Sequence, residues 1–259
     1  MTAVLQQVLA DLAAEGERLE QVVAGLDDDG WRTPTPASGW DVATQVAHLA
    51  WTDGAALAAA TDKDAWDALV LGAIADPEGF VDEQALALAR TADLVDRWRD
   101  GRAALHAALG AYPQGQRMPW FGPPMSAASM ATARLMETWA HSLDVHEGLG
   151  VPVVDTDRIR HVAHLGVRTR DFAFGVHGLE PPAEAFRIDL VSPSEAVWSW
   201  GPEDAAQTLT GSAGDFCRLV TQRVHRADTD LVAGGPDVER WLDVAQAFAG
   251  RPGEGRAPR

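Results

Sequence analysis

Glu137 and His141 stand four residues apart in RLMETWAHSLDVHEG. On a helix that spacing puts both side chains on one face, about one turn apart. A third residue with ligand chemistry, His48, lies in TQVAHLAW among apolar neighbours. Two imidazole nitrogens and one carboxylate oxygen form a known catalytic zinc set with positions left open for water or substrate. The same donors suit iron, nickel or manganese, so they specify the ligands more closely than the metal. Spacing alone does not settle the matter. E-x-x-x-H arises by chance, and a lone His on an apolar face is commonly a hydrogen-bonded core residue. A metal-bound imidazole usually has a partner on its second nitrogen. Asp144, three residues beyond His141, shares the face and is a candidate to orient a ligand or touch substrate. Gln45 and Arg134, three before His48 and three before Glu137, are further candidates to support the ligands. His146, His161 and His164 read as surface or packing residues, with His164 the candidate spare ligand.

For the three ligands to meet, two helices must adjoin. Residues 3–26 carry Val4, Val8, Leu12, Leu19, Val22, Val23 and Leu26 at three- and four-residue steps, the pattern of an amphipathic helix. The loop WRTPTPASGW follows, and a second helix with His48 should begin near Asp41 and run to about residue 60. A third helical region is expected over 82–110 and a fourth, with Glu137 and His141, over 125–148, stopped by GLGVP. Between them lies the Pro/Gly loop YPQGQRMPWFGPP, which could cover a pocket. A fifth helix is expected over 156–177. After EPPAE the texture changes: AFRIDLVSP, AVWSWG and QTLTG alternate like strands, and helices near 212–225 and 236–249 follow. The expected organisation is a helical metal-binding bundle over 1–178, an α/β domain over 180–250 and a disordered tail over 251–259. The class is mainly α, a four-helix bundle with an extra helix and a small α/β appendage.

Composition narrows the function classes. With 21 Lys and Arg against 38 Asp and Glu the net charge is −17, which argues against nucleic acid or anionic membranes as partners. No apolar run approaches a membrane span, and the acidic, helix-patterned N-terminus is no signal peptide. The single cysteine, Cys217, excludes an intramolecular disulfide and a Cys-rich zinc site and fits a cytoplasmic protein. Ten tryptophans stand beside one tyrosine. Trp40, Trp51 and Trp139 fall within the ligand motifs and could wall a pocket, although most of the ten are expected to be core fillers. There is no phosphate-binding loop, dinucleotide fingerprint or GxSxG elbow.

The segments PTPASGWDVATQVAHLAWTD and ARLMETWAHSLDVHEGLG together resemble the DinB superfamily, and more closely its actinobacterial branch of mycothiol-dependent maleylpyruvate isomerases. Gly39, Trp40, His48, Leu49, Glu137, His141 and Asp144 match the family pattern. The resemblance implies a DinB-like four-helix bundle holding zinc through His48, Glu137 and His141, followed by an α/β domain like the sterol-carrier fold. It also implies a catalytic Arg after a glycine near the end of a C-terminal helix. In DFCRLVTQRVHR that position is Arg223, with Gln222 in place of the glycine and Arg218 and Arg226 nearby. The function implied is metal-dependent isomerase or S-transferase chemistry on a small electrophilic, conjugated substrate, with a low-molecular-weight thiol such as mycothiol as cosubstrate. Two other readings fit the residues. One is a thiol-independent metal-dependent hydrolase, lyase or isomerase tailoring a specialised metabolite. The other is a non-catalytic, metal-stabilised small-molecule binding protein.

Overall fold

Capping side chains set the starts of three of the four long helices. In the computed structural model, which describes residues 1–250, 253 and 255–259, helix α1 (Ala3–Val23) begins where the Thr2 hydroxyl accepts from the Leu5 N–H. Its buried Leu5, Val8, Leu9, Leu12, Leu19 and Val23 follow the helical period. Asp27 caps the short α2 (Asp28–Trp31). Asp41 starts α3 (Val42–Thr61) by accepting from both the N–H and the hydroxyl of Thr44, at 2.8 and 2.7 Å. Ser126 caps α7 (Ala127–Leu149), and Gly150 ends it in the left-handed conformation at φ +65°. With α6 (Leu94–Ala111), these long helices make a four-helix bundle. α3 packs on α6 and α7, and α1 packs on α6 and α7.

Two core clusters fill the bundle. Near one end, Leu5, Leu9, Leu105, Leu109, Met118 and Met130 pack together. Near the other, Leu19, Val42, Val46, Leu49, Trp98 and Val145 do so. Helix α4 (Lys63–Ala75) and α5 (Phe80–Leu88) are inserted between α3 and α6. The region expected as one helix over 82–110 is therefore two, with a break between Leu88 and Leu94, and α4 is an element the sequence reading did not anticipate. The reason is visible in its packing. Trp66 is its one buried residue, while Leu71 and Ile74 are 67% and 69% exposed, so no clean apolar face marks it.

The chain divides into two compact units, Met1–Val153 and Val154–Arg259. The division falls before the change of sequence texture near Pro181, so the helical segment expected over 156–177 joins the second unit. That segment is a 3-10 turn (Asp157–Ile159), α8 (Arg160–Arg168) and α9 (Arg170–Val176). α8 packs on α10 (Ala213–Val220) through Gly166, where an added Cβ would come within 2.9 Å of Val220. α9 packs on α11 (Pro236–Val244). The strands β1 (Arg187–Val191), β2 (Val197–Trp200), β3 (Thr208–Ser212) and β4 (Val232–Gly234) form one sheet in the order β2-β1-β3-β4. β1 runs parallel to β3, and the two edge pairings are antiparallel. The fourth strand, three residues long, had no readable alternation. The last two helices end earlier than expected, at Val220 and Val244. The tail expected to be disordered, 251–259, lies partly outside the described residues. Among the described residues, no helix is long and apolar enough to cross a membrane.

Candidate metal centre

α3 and α7 run alongside each other with matched faces, and that pairing brings the separated motifs together. His48 Nε2 lies 3.5 Å from a Glu137 carboxylate oxygen, and His141 Nε2 lies 3.2 Å from the same oxygen. One donor atom from each residue falls within 4.8 Å of the others. The His48, Glu137 and His141 side chains are 12%, 23% and 12% exposed, so the cluster is sheltered yet open to a ligand. Burial alone would push the Glu137 carboxyl up, but where the facing His141 and His48 nitrogens carry protons, their hydrogen bonds and charge outweigh burial and hold it well below the usual carboxylate range. Glu137 is thus an anion at neutral pH. Two neutral-capable imidazoles and one carboxylate converging in this way fit a divalent metal, zinc among them.

The surroundings differ for each ligand. His141 Nδ1 lies 2.6 Å from Gln45 Oε1, so Gln45 contacts a candidate ligand directly. Asp144 is 2% exposed and lies 4.0 Å from the same nitrogen, beyond hydrogen-bonding distance. Arg134 does not reach the ligands in the way proposed for it. Its Nε donates to Asp53 at 2.8 Å, a fully buried pair between α7 and α3 one turn from Glu137. Asp53 had no signal in the sequence, because its partner is 81 positions away. The ring of Trp40, at the start of α3, lies 5.2 Å from that of His48 and stacks on His141 at 5.9 Å. Trp51, one turn beyond His48, joins Phe80, Phe121, Trp66 and Trp120 in a run of ring contacts between 4.9 and 6.4 Å. The loop carrying Trp120 and Phe121 is pinned at its base by paired backbone hydrogen bonds between Met118 and Met125. Trp139 and His146 are buried packing residues.

Arg223 belongs to the second unit and follows α10 directly. Its backbone N–H closes on the Arg218 carbonyl while that of Gln222 closes on Leu219, the paired bonds of a Schellman helix end. Gln222 takes the left-handed conformation, φ +61°, that a glycine would ordinarily supply. The Arg223 guanidinium donates to the Thr221 carbonyl at 2.6 Å, and the two neighbouring arginines have carboxylate partners in the same unit. Arg218 donates to Asp155 at 2.7 Å, and Arg226 pairs with Glu239 and Asp243. His164 accepts from the Trp200 indole N–H at 3.2 Å. Cys217 is buried and donates to the Ile159 carbonyl, and burial pushes its thiol up, away from reactivity.

A family model described as the mycothiol maleylpyruvate isomerase N-terminal domain matches residues 12–146. One described as wyosine base formation matches residues 182–233. Two uncharacterised proteins of Mycobacterium tuberculosis, from strains CDC 1551 and H37Rv, are each 56% identical over 96% of this chain and 97% of their own length. Crystal structures of a mycothiol-dependent maleylpyruvate isomerase and of a histidine-to-alanine mutant of it superpose with a TM-score of 0.60. These matches cover 91% of this chain and 98% of theirs at 15% identity, a likeness of fold.

Proposed function

Because the chain belongs to the maleylpyruvate isomerase-like branch of the DinB superfamily, we propose that it is a metal-dependent isomerase or S-transferase that joins a low-molecular-weight thiol, such as mycothiol, to a small conjugated electrophile. The observation that carries this reading is the convergence of His48, Glu137 and His141 inside the region matched by a family of thiol-dependent isomerases. We take the metal as zinc, with nickel, iron(II) or manganese served by the same donors. When bound, such a cation lowers the pKa of a coordinated thiol and keeps it as thiolate at neutral pH. The thiolate adds to a conjugated carbon–carbon double bond and leaves a single bond about which the adduct rotates. Elimination then returns the thiol and the opposite geometric isomer. If the adduct instead takes a proton at carbon, the product is the thioether, the outcome of S-transfer.

The protein's own groups have assigned parts. His48, Glu137 and His141 hold the metal. Asp144, buried 4.0 Å from His141 Nδ1, orients a ligand or touches substrate. Arg223 meets a substrate carboxylate or the negative charge that develops on addition. The left-handed Gln222 supports the match of Arg223 to the family's arginine, since the position keeps the backbone conformation of the glycine in the family pattern. The aromatic run from Trp51 favours a substrate with an unsaturated or aromatic portion. The protein is proposed to work in the cytoplasm, where its one thiol, Cys217, stays reduced.

Turnover of a panel of conjugated electrophiles with and without added thiol tests the reading. Activity is expected to require both thiol and metal. Metal-dependent turnover without thiol would replace it with direct metal chemistry. Arg223→Ala should cut catalytic efficiency about ten- to hundredfold, the loss of a charge-assisted hydrogen bond of roughly 1.5–3 kcal/mol, with metal content unchanged. Arg223→Lys should recover little, because an ammonium cannot reproduce the guanidinium fork. Full activity in Arg223→Ala would remove Arg223 from the site.

A further inference from the structure

An imidazole serves as a metal ligand only through an unprotonated nitrogen, so the proton of a neutral His141 decides which nitrogen is on offer. Two arrangements compete. With the proton on Nδ1, the Nε2 lone pair faces the centre. With the proton on Nε2, that proton points at Glu137, whose oxygen is 3.2 Å away, and no lone pair is presented.

A chain of hydrogen bonds from the TPTPASGW loop chooses between them. Its far end is the Trp40 carbonyl, which can only accept. The Thr35 hydroxyl donates to it at 2.9 Å. Having given its proton to Trp40, the Thr35 oxygen must accept, and Gln45 Nε2 donates to it at 2.8 Å. That fixes the amide, so Oε1 is the atom turned toward His141, 2.6 Å from Nδ1. Nδ1 must then carry the proton. The reverse order would turn the Gln45 amino group toward His141 and force the proton onto Nε2.

The chain has little freedom to reverse. Gln45 is fully buried, and Thr35 and Trp40 are half-buried. The loop is closed on itself, with the Thr35 N–H bonded to the Trp40 carbonyl and the Val42 N–H to that of Thr33. It also sits tightly on the end of α7: a Cβ added at Gly148 would lie 2.8 Å from the Pro34 carbonyl oxygen. We propose that Thr35 and Gln45 are positioning residues that hold His141 in its Nδ1-protonated tautomer and so present Nε2 as a metal ligand. The proposal rests on the reading of His48, Glu137 and His141 as a metal centre. It gives the proline-containing loop a part in metal binding through Thr35, which acts by way of its bond to Gln45.

Zinc titration against a competing chelator, with long-range proton–nitrogen NMR of the zinc-loaded protein, tests it. Gln45→Leu should weaken zinc binding about 10- to 100-fold, the usual cost of losing a partner behind a metal-bound histidine. Thr35→Val should weaken it in the same direction by less, and Thr35→Ser should restore it. Gln45→Glu, which still accepts from Nδ1, should bind at least as tightly as the wild type. The spectrum should show His141 protonated at Nδ1 and metal-bound at Nε2, a measurement that needs no substitution and stands even if Gln45→Leu fails to fold. Metal at Nδ1, or wild-type affinity in Gln45→Leu, overturns the proposal and leaves the metal centre intact. A wild-type protein that binds no zinc overturns both.

Discussion

Helices α3 and α7 are tied together at two levels about one turn apart, and the two ties are built to opposite ends. At one level His48 and His141 face Glu137, with side chains 12–23% exposed. At the other, Asp53 and Arg134 meet at 2.8 Å with side chains 3% and 2% exposed. The first gathers electron-pair donors around one carboxylate and leaves a place for a cation. The second already contains its own cation. A charge pair sealed from water works as a strut, whereas a group of acceptors at the edge of solvent works as a socket. The same helix pair carries both.

The largest test of this contrast is to leave half a strut. Arg134→Met should destabilise the protein by about 3–5 kcal/mol in chemical denaturation, because Asp53 is left buried without a countercharge. The double replacement Asp53→Leu with Arg134→Met should recover most of that loss, since an apolar pair of similar volume avoids the desolvation cost. If the double variant is as unstable as the single one, the pair does more than close a gap. The socket should behave differently. Zinc at a free concentration a hundred times its Kd should stabilise the wild type by about 2.7 kcal/mol, and the gain should vanish in His141→Ala. A zinc-induced shift of melting temperature that survives in His141→Ala would place the metal elsewhere.

The smallest effect comes from His146 on the same helix, a buried residue that belongs to neither tie. Its Nδ1 lies 3.2 Å from the Val151 carbonyl, and burial is the main reason that its pKa is lowered. The folded state therefore resists a proton that the unfolded chain accepts. The stability this represents is present above histidine's ordinary pKa and is lost as pH falls through it toward the folded value. His146→Leu should flatten the fall of stability measured by denaturation between neutral and mildly acidic pH. An unchanged pH profile would show that acid acts through other groups.

The bundle was legible where the sequence carries local rules. Asp41 before an apolar helix and glycine after Leu149 mark ends that the structure reproduces within a residue or two. That Glu137 and His141 share a face was legible for the same reason, because a four-residue step on a helix has one geometric meaning, whereas His48 was joined to them by the family resemblance and not by spacing. What escaped reading depends on distant contacts or on weak patterns. Asp53 looks like any helix acid until α7 is laid beside it. Thr35 lies in a loop, where no period exists to read. Helix α4 has too little burial to leave a stripe, and the break before Leu94 interrupts a helical pattern that reads as continuous.

The socket's members are far apart along the chain. His48 precedes Glu137 by 137 − 48 = 89 positions, and the whole of α4, α5 and α6 lies between them. During synthesis His48 leaves the ribosome long before the other two, and only a piece of chain that reaches His141, 141 − 48 = 93 positions on, offers all three. A metal held there closes a loop of that length, so it rewards only chains whose fourth long helix has already found its place against the second. On the proposed reading of the three residues as a metal centre, a loaded site would mark a finished bundle.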